Sequence, residues 1–222
     1  MSSLTVTPKY IPHPTEPEIV QATKVLQAAF EGDPFNMLLT DGDPSLIYDQ
    51  LYASVASTAV GGQLHVISVG PEASDIVGVA CWFPPGTSLN STPEQRAAGW
   101  DKFIAASPES LQKWWISYFV PTMTKLSNDT LGEGFALNAW QLHLFGVLPA
   151  YQGKGNGKAL FKFAEKEAFK TNSTIIVETT TDVDVIIYTK LGLKIRDEIT
   201  ILNQDRKSRM VLMTKTPEGS RA

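Results

Sequence analysis

Three glycines at alternate positions, Gly153, Gly155 and Gly157, lie between an apolar run and a stretch with helical spacing. Glycine lets backbone N–H groups approach an anion closely, and a helix start adds unpaired N–H groups and the positive end of the helix dipole. Lys154 and Lys158 add positive charge to the same segment. The residues therefore predict a site for a phosphate or pyrophosphate at the beginning of a helix.

The spacing of these glycines rules out two common nucleotide loops. A P-loop needs Gly-x-x-x-x-Gly-Lys followed by Ser or Thr, but Ala159 follows Lys158 and offers no hydroxyl to magnesium. The dinucleotide fingerprint Gly-x-Gly-x-x-Gly also fails, because Lys158 or Leu160 stands where the third glycine is needed.

The pattern that remains is Gln152-x-x-Gly155-x-Gly157, preceded by Val147-x-Pro149. It resembles the acyl-CoA loop of the GNAT superfamily of N-acetyltransferases. The resemblance implies the GNAT fold, an α/β (α+β) architecture with a mixed central sheet of about six or seven strands that is splayed at the cofactor site. It also implies acetyl-CoA as the acyl donor. No set of His, Cys, Asp or Glu residues has the spacing of metal ligands, so no metal is predicted.

A second motif lies downstream, where Tyr188-Thr-Lys-Leu-Gly-Leu193 is similar to the superfamily signature Tyr-x-x-x-Gly-Phe, with leucine in the last position. In many members this tyrosine lies near the CoA sulfur, so the resemblance implies that Tyr188 protonates the departing thiolate. Residues at the strand end, in the loop and at this tyrosine are expected to bind acetyl-CoA: Phe145, Gly146, Val147, Gln152, Gly153, Lys154, Gly155, Asn156, Gly157, Lys158 and Tyr188.

Transfer of an acyl group to an amine also needs a base and a donor for the oxyanion. His143 lies four residues before Val147, so both side chains leave the same face of a regular strand unless a bulge intervenes. Its position resembles that of a histidine of the arylalkylamine N-acetyltransferases, which lies in the channel through which the proton of the amine leaves. Glu178 is the second candidate base, because burial in its strand would raise its pKa. The family implies a main-chain N–H at or near Val147 as the oxyanion donor.

Each of these side chains also has a purely structural interpretation. Tyr188 is also compatible with a helix residue packed on the core, His143 with a structural or exposed strand residue, and Glu178 with a carboxylate satisfied by neighbouring hydroxyls. Cys81 has no activating group near it in the sequence. We therefore predict direct attack in a ternary complex rather than an acyl-cysteine intermediate.

Asp33, Phe35 and Trp82 are predicted to line an acidic and aromatic pocket for a small cationic amine. Asp33-Pro34, and Trp82 followed by Pro84-Pro85-Gly86, resemble fungal and puromycin-acetyltransferase-like members that modify small amines. The predicted function is acetyl-CoA-dependent acetylation of a primary amine of a small molecule. A peptide or protein N-acetyltransferase and a non-catalytic acetyl-CoA-binding module are the alternatives.

The elements that must position these residues are predicted from apolar periodicity, caps and turn residues. Strands are expected at 4–11, 63–69, 76–83, 135–148, 174–179, 193–202 and 209–215, and helices at 15–30, 43–59, 155–170 and 182–191. All belong to a single acetyltransferase domain, 1–222, whose acetyl-CoA-binding core spans about 135–193. Prolines 93 and 108 begin helices in a helical insertion at about 86–134, between the third and fourth strands.

Composition narrows the class of partner. The net charge of −4 and the pI near 5.4 argue against nucleic acid or an anionic membrane. The single cysteine favours a reducing compartment, and the sequence shows neither a signal peptide nor a membrane span. A cytoplasmic monomer or homodimer is predicted.

Overall fold

Seven strands form one sheet in the computed structural model, which describes residues 6–219. They are β1 (Pro8–Ile11), β2 (Gln63–Ser68), β3 (Ile76–Phe83), β4 (Trp140–Val147), β5 (Ile175–Thr179), β6 (Lys194–Asn203) and β7 (Arg206–Lys215). Their spatial order is β1-β2-β3-β4-β5-β7-β6, and every neighbouring pair is antiparallel except β4 and β5. The predicted mixed sheet is confirmed; residues 4 and 5 of the predicted first strand lie outside the described residues.

The helices follow in chain order, and most begin at a recognisable cap. They are α1 (Glu16–Ala29), α2 (Pro34–Leu39), α3 (Ile47–Gly61), α4 (Pro93–Gln95), α5 (Asp101–Ala106), α6 (Glu109–Trp114), α7 (Val120–Leu131), α8 (Asn156–Lys170) and α9 (Asp182–Lys190). Thr15 and Glu18 form the predicted capping box of α1. Among the described helices, none is long and apolar enough to cross a membrane.

The helices cover both faces of the sheet. On one face, Leu160 and Phe161 of α8 pack with Trp82 and Trp140 of the central strands. On the other face, α1 and α3 cover β2 and β3, while the segment between β3 and β4 covers the remaining strands. This segment contains α4 to α7, so the predicted helical insertion between the third and fourth strands is confirmed.

Aromatic residues hold the insertion on the sheet. Phe103 and Trp115 are buried in one cluster with Ile176 of β5 and Leu212 of β7. Turns of π-helix at Arg96–Trp100 and Trp115–Phe119 join α4 to α5 and α6 to α7. The insertion thus shares its core with the sheet.

The central parallel pair is short. β4 and β5 pair only through Trp140↔Ile175, Gln141↔Ile176 and Leu142↔Val177, although both strands continue beyond these residues. The strands therefore separate after Leu142. This is the splay that the fold prediction requires.

One predicted strand is too long at its start. The segment 135–139 is predicted as strand, but Ala136–Asn138 forms a short 3₁₀ turn, because the Asn138 amide donates to the Gly134 carbonyl oxygen. Asp33-Pro34 begins α2, with the Asp33 carboxylate accepting from the Phe35 N–H at 2.8 Å. Thr181 caps α9.

Candidate active site

The glycine loop after β4 is held in place by side chains that bond to its own backbone. The Gln152 amide donates to the Val147 carbonyl oxygen at 2.9 Å, and the Asn156 amide donates to the Tyr151 carbonyl oxygen at 2.8 Å. Gly153 and Gly155 have φ angles of +71° and +83°, which other residues adopt only with strain. The loop therefore has one fixed shape, and glycine is needed to make it.

The start of α8 offers free backbone donors. Gly155 is the N-cap and has no side chain, so no side-chain oxygen accepts from the first N–H groups of the helix. A side-chain carbon placed on Gly153 or Gly155 would meet no atom within 4 Å, so the space above the loop is open. The arrangement fits an anionic group such as a pyrophosphate.

The backbone of β4 beyond Leu142 supplies further unpaired groups. Leu148 donates its N–H to the Val77 carbonyl oxygen of β3 at 2.8 Å. Because N–H groups alternate along a strand, those of Phe145 and Val147 point away from β3, toward the side where β5 has separated. They are positioned to bind an extended ligand arm or an oxyanion.

A β-bulge changes the direction of His143. Cys81 of β3 pairs with Leu144 and Trp82 pairs with Leu142, which leaves His143 as the extra residue on β4. Val147 lies against Gly157 of α8, on the face of the sheet that α8 covers.

The bulge directs His143 to the opposite face, where its ring contacts Phe83 with 6.4 Å between ring centroids. Phe83 packs against Gly62 at the end of α3. The expectation that His143 and Val147 share a face is therefore wrong, because the extra residue reverses the alternation.

The bulge nevertheless brings His143 to Glu178. Both are the next residues after the last ladder pair, Leu142↔Val177. Glu178 leaves the same face of β5 as Ile176, which packs against the insertion. The two candidate bases therefore lie side by side at the point where the strands separate.

A cavity of about 680 Å³ opens at this point between the sheet, α1 to α3, the insertion and α9. His143, Glu178, Tyr188, Phe145, Asp33 and Phe35 all line it. Trp82 does not: its side chain is fully buried among core rings and packs against Phe161 on the α8 face.

The protein around the cavity changes the basicity of both candidates. The protein around the cavity partly dehydrates both side chains, which raises the pKa of Glu178 to about 7 and lowers that of His143 to about 4. Each side chain keeps part of its surface exposed within the cavity. At neutral pH the imidazole is therefore uncharged, and the carboxyl group is poised between its two protonation states.

Tyr188 lies at the inner wall of the cavity, between Phe145 and Phe161, with ring centroids 6.4 Å from each. Burial and the nearby carboxylate of Asp184 raise its pKa above the usual value for a phenol. The hydroxyl group therefore stays protonated and can serve as a proton donor.

Two further carboxylates, Asp33 and Asp184, line the same cavity. Burial raises the pKa of Asp33 by more than the hydrogen bond from the Phe35 N–H lowers it. The charge of Asp184 raises this pKa further. The two carboxylates thus interact across the gap between α2 and α9, and this part of the cavity favours a cation.

Cys81 and metal chemistry contribute nothing visible here. Cys81 is fully buried, and burial raises the pKa of its thiol to about 12, which makes it unreactive as a nucleophile. Among residues 6–219, no group of three or more His, Cys, Asp or Glu side chains could hold a metal ion.

Comparison with known proteins finds a matching sequence region and a shared fold. Residues 115–192 match the model of the acetyltransferase (GNAT) family. The chain has the GNAT fold, and this part of it carries the sequence pattern of that family. No curated protein sequence matches it.

Solved structures share the fold at low sequence identity. A mosquito arylalkylamine N-acetyltransferase-like 5b has a TM-score of 0.64 at 16% identity, covering 95% of this chain and 100% of the other. A histone acetyltransferase HPA2-related protein from Corynebacterium glutamicum has a TM-score of 0.60 at 20% identity, covering 97% and 99%. A polyamine N-acetyltransferase from Drosophila melanogaster has a TM-score of 0.55 at 13% identity, covering 94% and 100%.

Sequence reasoning missed part of the cavity of this protein. No motif indicated Asp184, which lies in the first turn of α9, where its N–H donates to the Thr181 hydroxyl. Gln50 and Arg96 line the cavity from α3 and the insertion, and no motif pointed to either. They reach the site only because the insertion folds back over α3.

Proposed function

We propose that this protein transfers the acetyl group of acetyl-CoA to a primary amine of a small molecule, by direct attack in a ternary complex. One observation carries the proposal: the splay between β4 and β5 joins the glycine loop to an acidic cavity. Phe145 makes the link, since it lines the cavity and lies against Gly157 of the loop.

The donor is acetyl-CoA, which the GNAT family uses as its acyl donor. The N–H groups at the start of α8, together with Lys154 and Lys158, would hold the pyrophosphate. The backbone of Phe145, Gly146 and Val147 would hold the pantetheine arm in the splay. The N–H of Val147 would donate to the carbonyl oxygen as negative charge develops on it.

Two side chains of the cavity transfer protons, and a third assists by hydrogen bonding. Glu178 accepts the proton of the acceptor ammonium, because its pKa of about 7 is suited to a base at neutral pH. His143, with a pKa of about 4, is the weaker base and serves as a neutral hydrogen-bond partner at the same place. Tyr188 donates a proton to the departing sulfur.

The cavity supports a small amine as acceptor. It is enclosed by the insertion, and Asp33, Asp184 and Glu178 give it the negative charge that attracts an ammonium group. Similar structures are named for arylalkylamine, polyamine and agmatine acetylation. Phe35 would contact the acceptor; Trp82, being buried in the core, would support β3 instead.

We also propose that the chain belongs to the fungal and puromycin-acetyltransferase-like branch of the superfamily, because its sequence resembles those enzymes. We further propose a single domain for 1–222 and a cytoplasmic monomer or homodimer that engages neither nucleic acid nor membrane, in line with the net charge of −4.

The test combines binding with turnover. Acetyl-CoA at many times its Kd should raise the Tm of the protein, since a ligand that binds only the folded state stabilises it. A panel of primary amines, followed by release of the CoA thiol, should then give turnover with at least one member. Absence of any thermal shift would overturn the donor assignment. A shift without turnover on amines but with turnover on peptides would overturn the acceptor assignment.

A further inference from the structure

The acceptor cavity carries one positive charge that its acidic residues do not neutralise. Arg96 lines the cavity from the insertion. Within residues 6–219, no carboxylate lies at ion-pair distance from its guanidinium group. Among the same described residues, its side chain makes a single hydrogen bond, from Nη1 to the Asn90 carbonyl oxygen at 3.2 Å. Most of its donors therefore remain available to a ligand.

The segment that carries Arg96 is rigidly built. Gln95, directly before it, is fully buried, and its amide bonds to the Ser88 carbonyl oxygen and the Thr92 N–H. The N–H of Asn90 donates to the Ser57 hydroxyl of α3 at 3.1 Å. Arg96 itself begins a turn of π-helix, a distortion that is frequent at functional sites. Its position on the cavity wall is thus fixed by its neighbours.

A neighbouring polar group on α3 also lacks a partner. Gln50 is 5% exposed and lines the cavity, yet within the described residues its side-chain amide makes no hydrogen bond. Since its nitrogen and oxygen are not among the buried polar atoms that lack a partner, the amide faces the open cavity and is accessible to a polar ligand there. Ser54, one turn further along the same face of α3, lines the cavity too.

These residues form a wall opposite in charge to Asp33 and Asp184. We propose that Arg96 is a carboxylate subsite of the acceptor cavity, so the amine that is acetylated belongs to a molecule that also carries a carboxylate. This inference rests on the proposed function and names its substrate class. A guanidinium group presents parallel N–H donors that match a carboxylate, and the half-buried position of Arg96 excludes much competing water.

The charge geometry explains how such an acceptor would be oriented. Its ammonium group would face the carboxylates of the cavity and be deprotonated at Glu178, while its carboxylate would be held by Arg96 with Gln50 as a polar neighbour. An amine without the carboxylate would leave the Arg96 charge and the Gln50 amide unpaired, which is the kind of mismatch by which sites reject close analogues.

Matched acceptor pairs test the inference directly. Each pair is an amino acid and the amine that remains after its decarboxylation, for example tryptophan and tryptamine, histidine and histamine, or lysine and cadaverine. For at least one pair, the wild-type kcat/KM should be higher for the carboxylate-bearing member by about 10-fold or more. A preference for the decarboxylated member in every pair would overturn the subsite.

The Arg96→Gln variant provides the second arm, because glutamine can still donate to the Asn90 carbonyl oxygen but carries no charge. We expect kcat/KM for the carboxylate-bearing acceptor to fall by about 10- to 100-fold, as for loss of charge-assisted hydrogen bonds. The decarboxylated amine should change by less than about threefold, and the KM for acetyl-CoA should not change. Equal losses for both members of a pair would contradict a carboxylate-specific role.

Arg196→Gln is the matched control, since Arg196 is exposed on β6 and does not line the cavity. It removes the same charge and should leave both members of each pair unaffected. Thermal unfolding of both variants reports whether either is misfolded. If amines are acetylated without any Arg96 dependence, the carboxylate subsite fails and the proposed function stands. If no amine is acetylated although acetyl-CoA binds, the acceptor assignment of the proposed function fails first.

Discussion

The two ends of the β4 splay are built in different ways. The proposed donor end is made by one short stretch, from Phe145 to Lys158, and its chemistry is mostly that of the backbone. The proposed acceptor cavity is lined by side chains from α1 to α3, the insertion, β4, β5 and α9. A ligand common to a whole family can be bound by a local, backbone-based device, whereas the variable ligand is bound by side chains from distant segments.

This difference predicts that substitutions at the two ends have separable effects. Changes in the loop should act on acetyl-CoA, changes in the outer cavity should act on the acceptor amine, and changes where the two ends meet should act on the chemical step. The following substitutions test that separation.

The largest effect is expected from Glu178→Gln, at the meeting point. Loss of the base should lower kcat by about 100- to 1000-fold at pH 7.5, a typical contribution of general base catalysis. Wild-type activity should rise with pH through about 7, where Glu178 becomes ionised. The variant should lose this limb of the profile.

His143→Gln is the comparison variant for the same measurement. Because the pKa of His143 is about 4, its removal should leave the limb near pH 7 in place and lower kcat by no more than about 10-fold. If the limb disappears in His143→Gln and persists in Glu178→Gln, the roles of the two residues are exchanged.

The next effect concerns the donor end alone. Gly155→Ala forces an alanine into a φ of +83°, which costs about 1–2 kcal/mol and should distort the loop. We expect the KM for acetyl-CoA to rise by about 10-fold with little change in the KM for the amine, since 1.4 kcal/mol corresponds to a factor of ten.

Gly132→Ala is the control for that loop variant, because Gly132 also has a positive φ, of +100°, and open surroundings at the end of α7. Its ψ of 150° places it in a region that is almost restricted to glycine, so Gly132→Ala should lose at least as much stability as Gly155→Ala, measured by chemical denaturation. Only Gly155→Ala should raise the KM for acetyl-CoA; the same rise in both would attribute the effect to general destabilisation.

Tyr188→Phe should reduce kcat by about 10-fold, because water can partly replace the phenol as proton donor to the sulfur. The KM for the amine should stay nearly constant. Tyr52→Phe removes a hydroxyl that bonds to Glu16 outside the cavity and should leave kcat unchanged. An unaltered rate in Tyr188→Phe would restrict this tyrosine to packing between Phe145 and Phe161.

The smallest effect is expected at the acceptor end, from Asp33→Asn. Asparagine can keep the cap on the Phe35 N–H, so the change chiefly removes charge. The KM for a cationic amine should rise by about threefold to fivefold, the size expected for one partly exposed charge. Asp43→Asn makes the same change at a similar cap outside the cavity and should not alter the KM. Equal responses would remove Asp33 from acceptor binding.

The contrast between the two ends also explains what the sequence could predict. The loop from Gln152 to Lys158 was interpretable because its glycines, its neighbours and its helix are adjacent in the chain. The sheet and the insertion followed from apolar periodicity and proline positions. The sequence identified His143, Glu178 and Asp33 as candidate functional residues from their chemistry, but it did not predict the directions in which their side chains point.

What escaped prediction depends on register and tertiary packing. One extra residue in β4 places His143 on the other face of the sheet, and the local residue types do not predict a bulge there. Tryptophan is a residue type that often lines binding pockets. Because side chains alternate between the two faces along β3, however, Trp82 points into the core beneath α8. Arg96 and Gln50 lie far apart in the sequence and line one cavity only after the insertion packs against α3.

The three-pair ladder between β4 and β5 has a mechanical consequence. It divides the sheet into two parts, one containing β1 to β4 and the other β5 to β7. Only these three residue pairs and the crossover through α8 connect the backbones of the two parts. The angle between the two parts of the sheet sets the width of the gap in which the thioester arm would lie. A substitution that alters this angle from the outer strands could retune the spacing of the reacting groups, although the altered residue touches neither substrate.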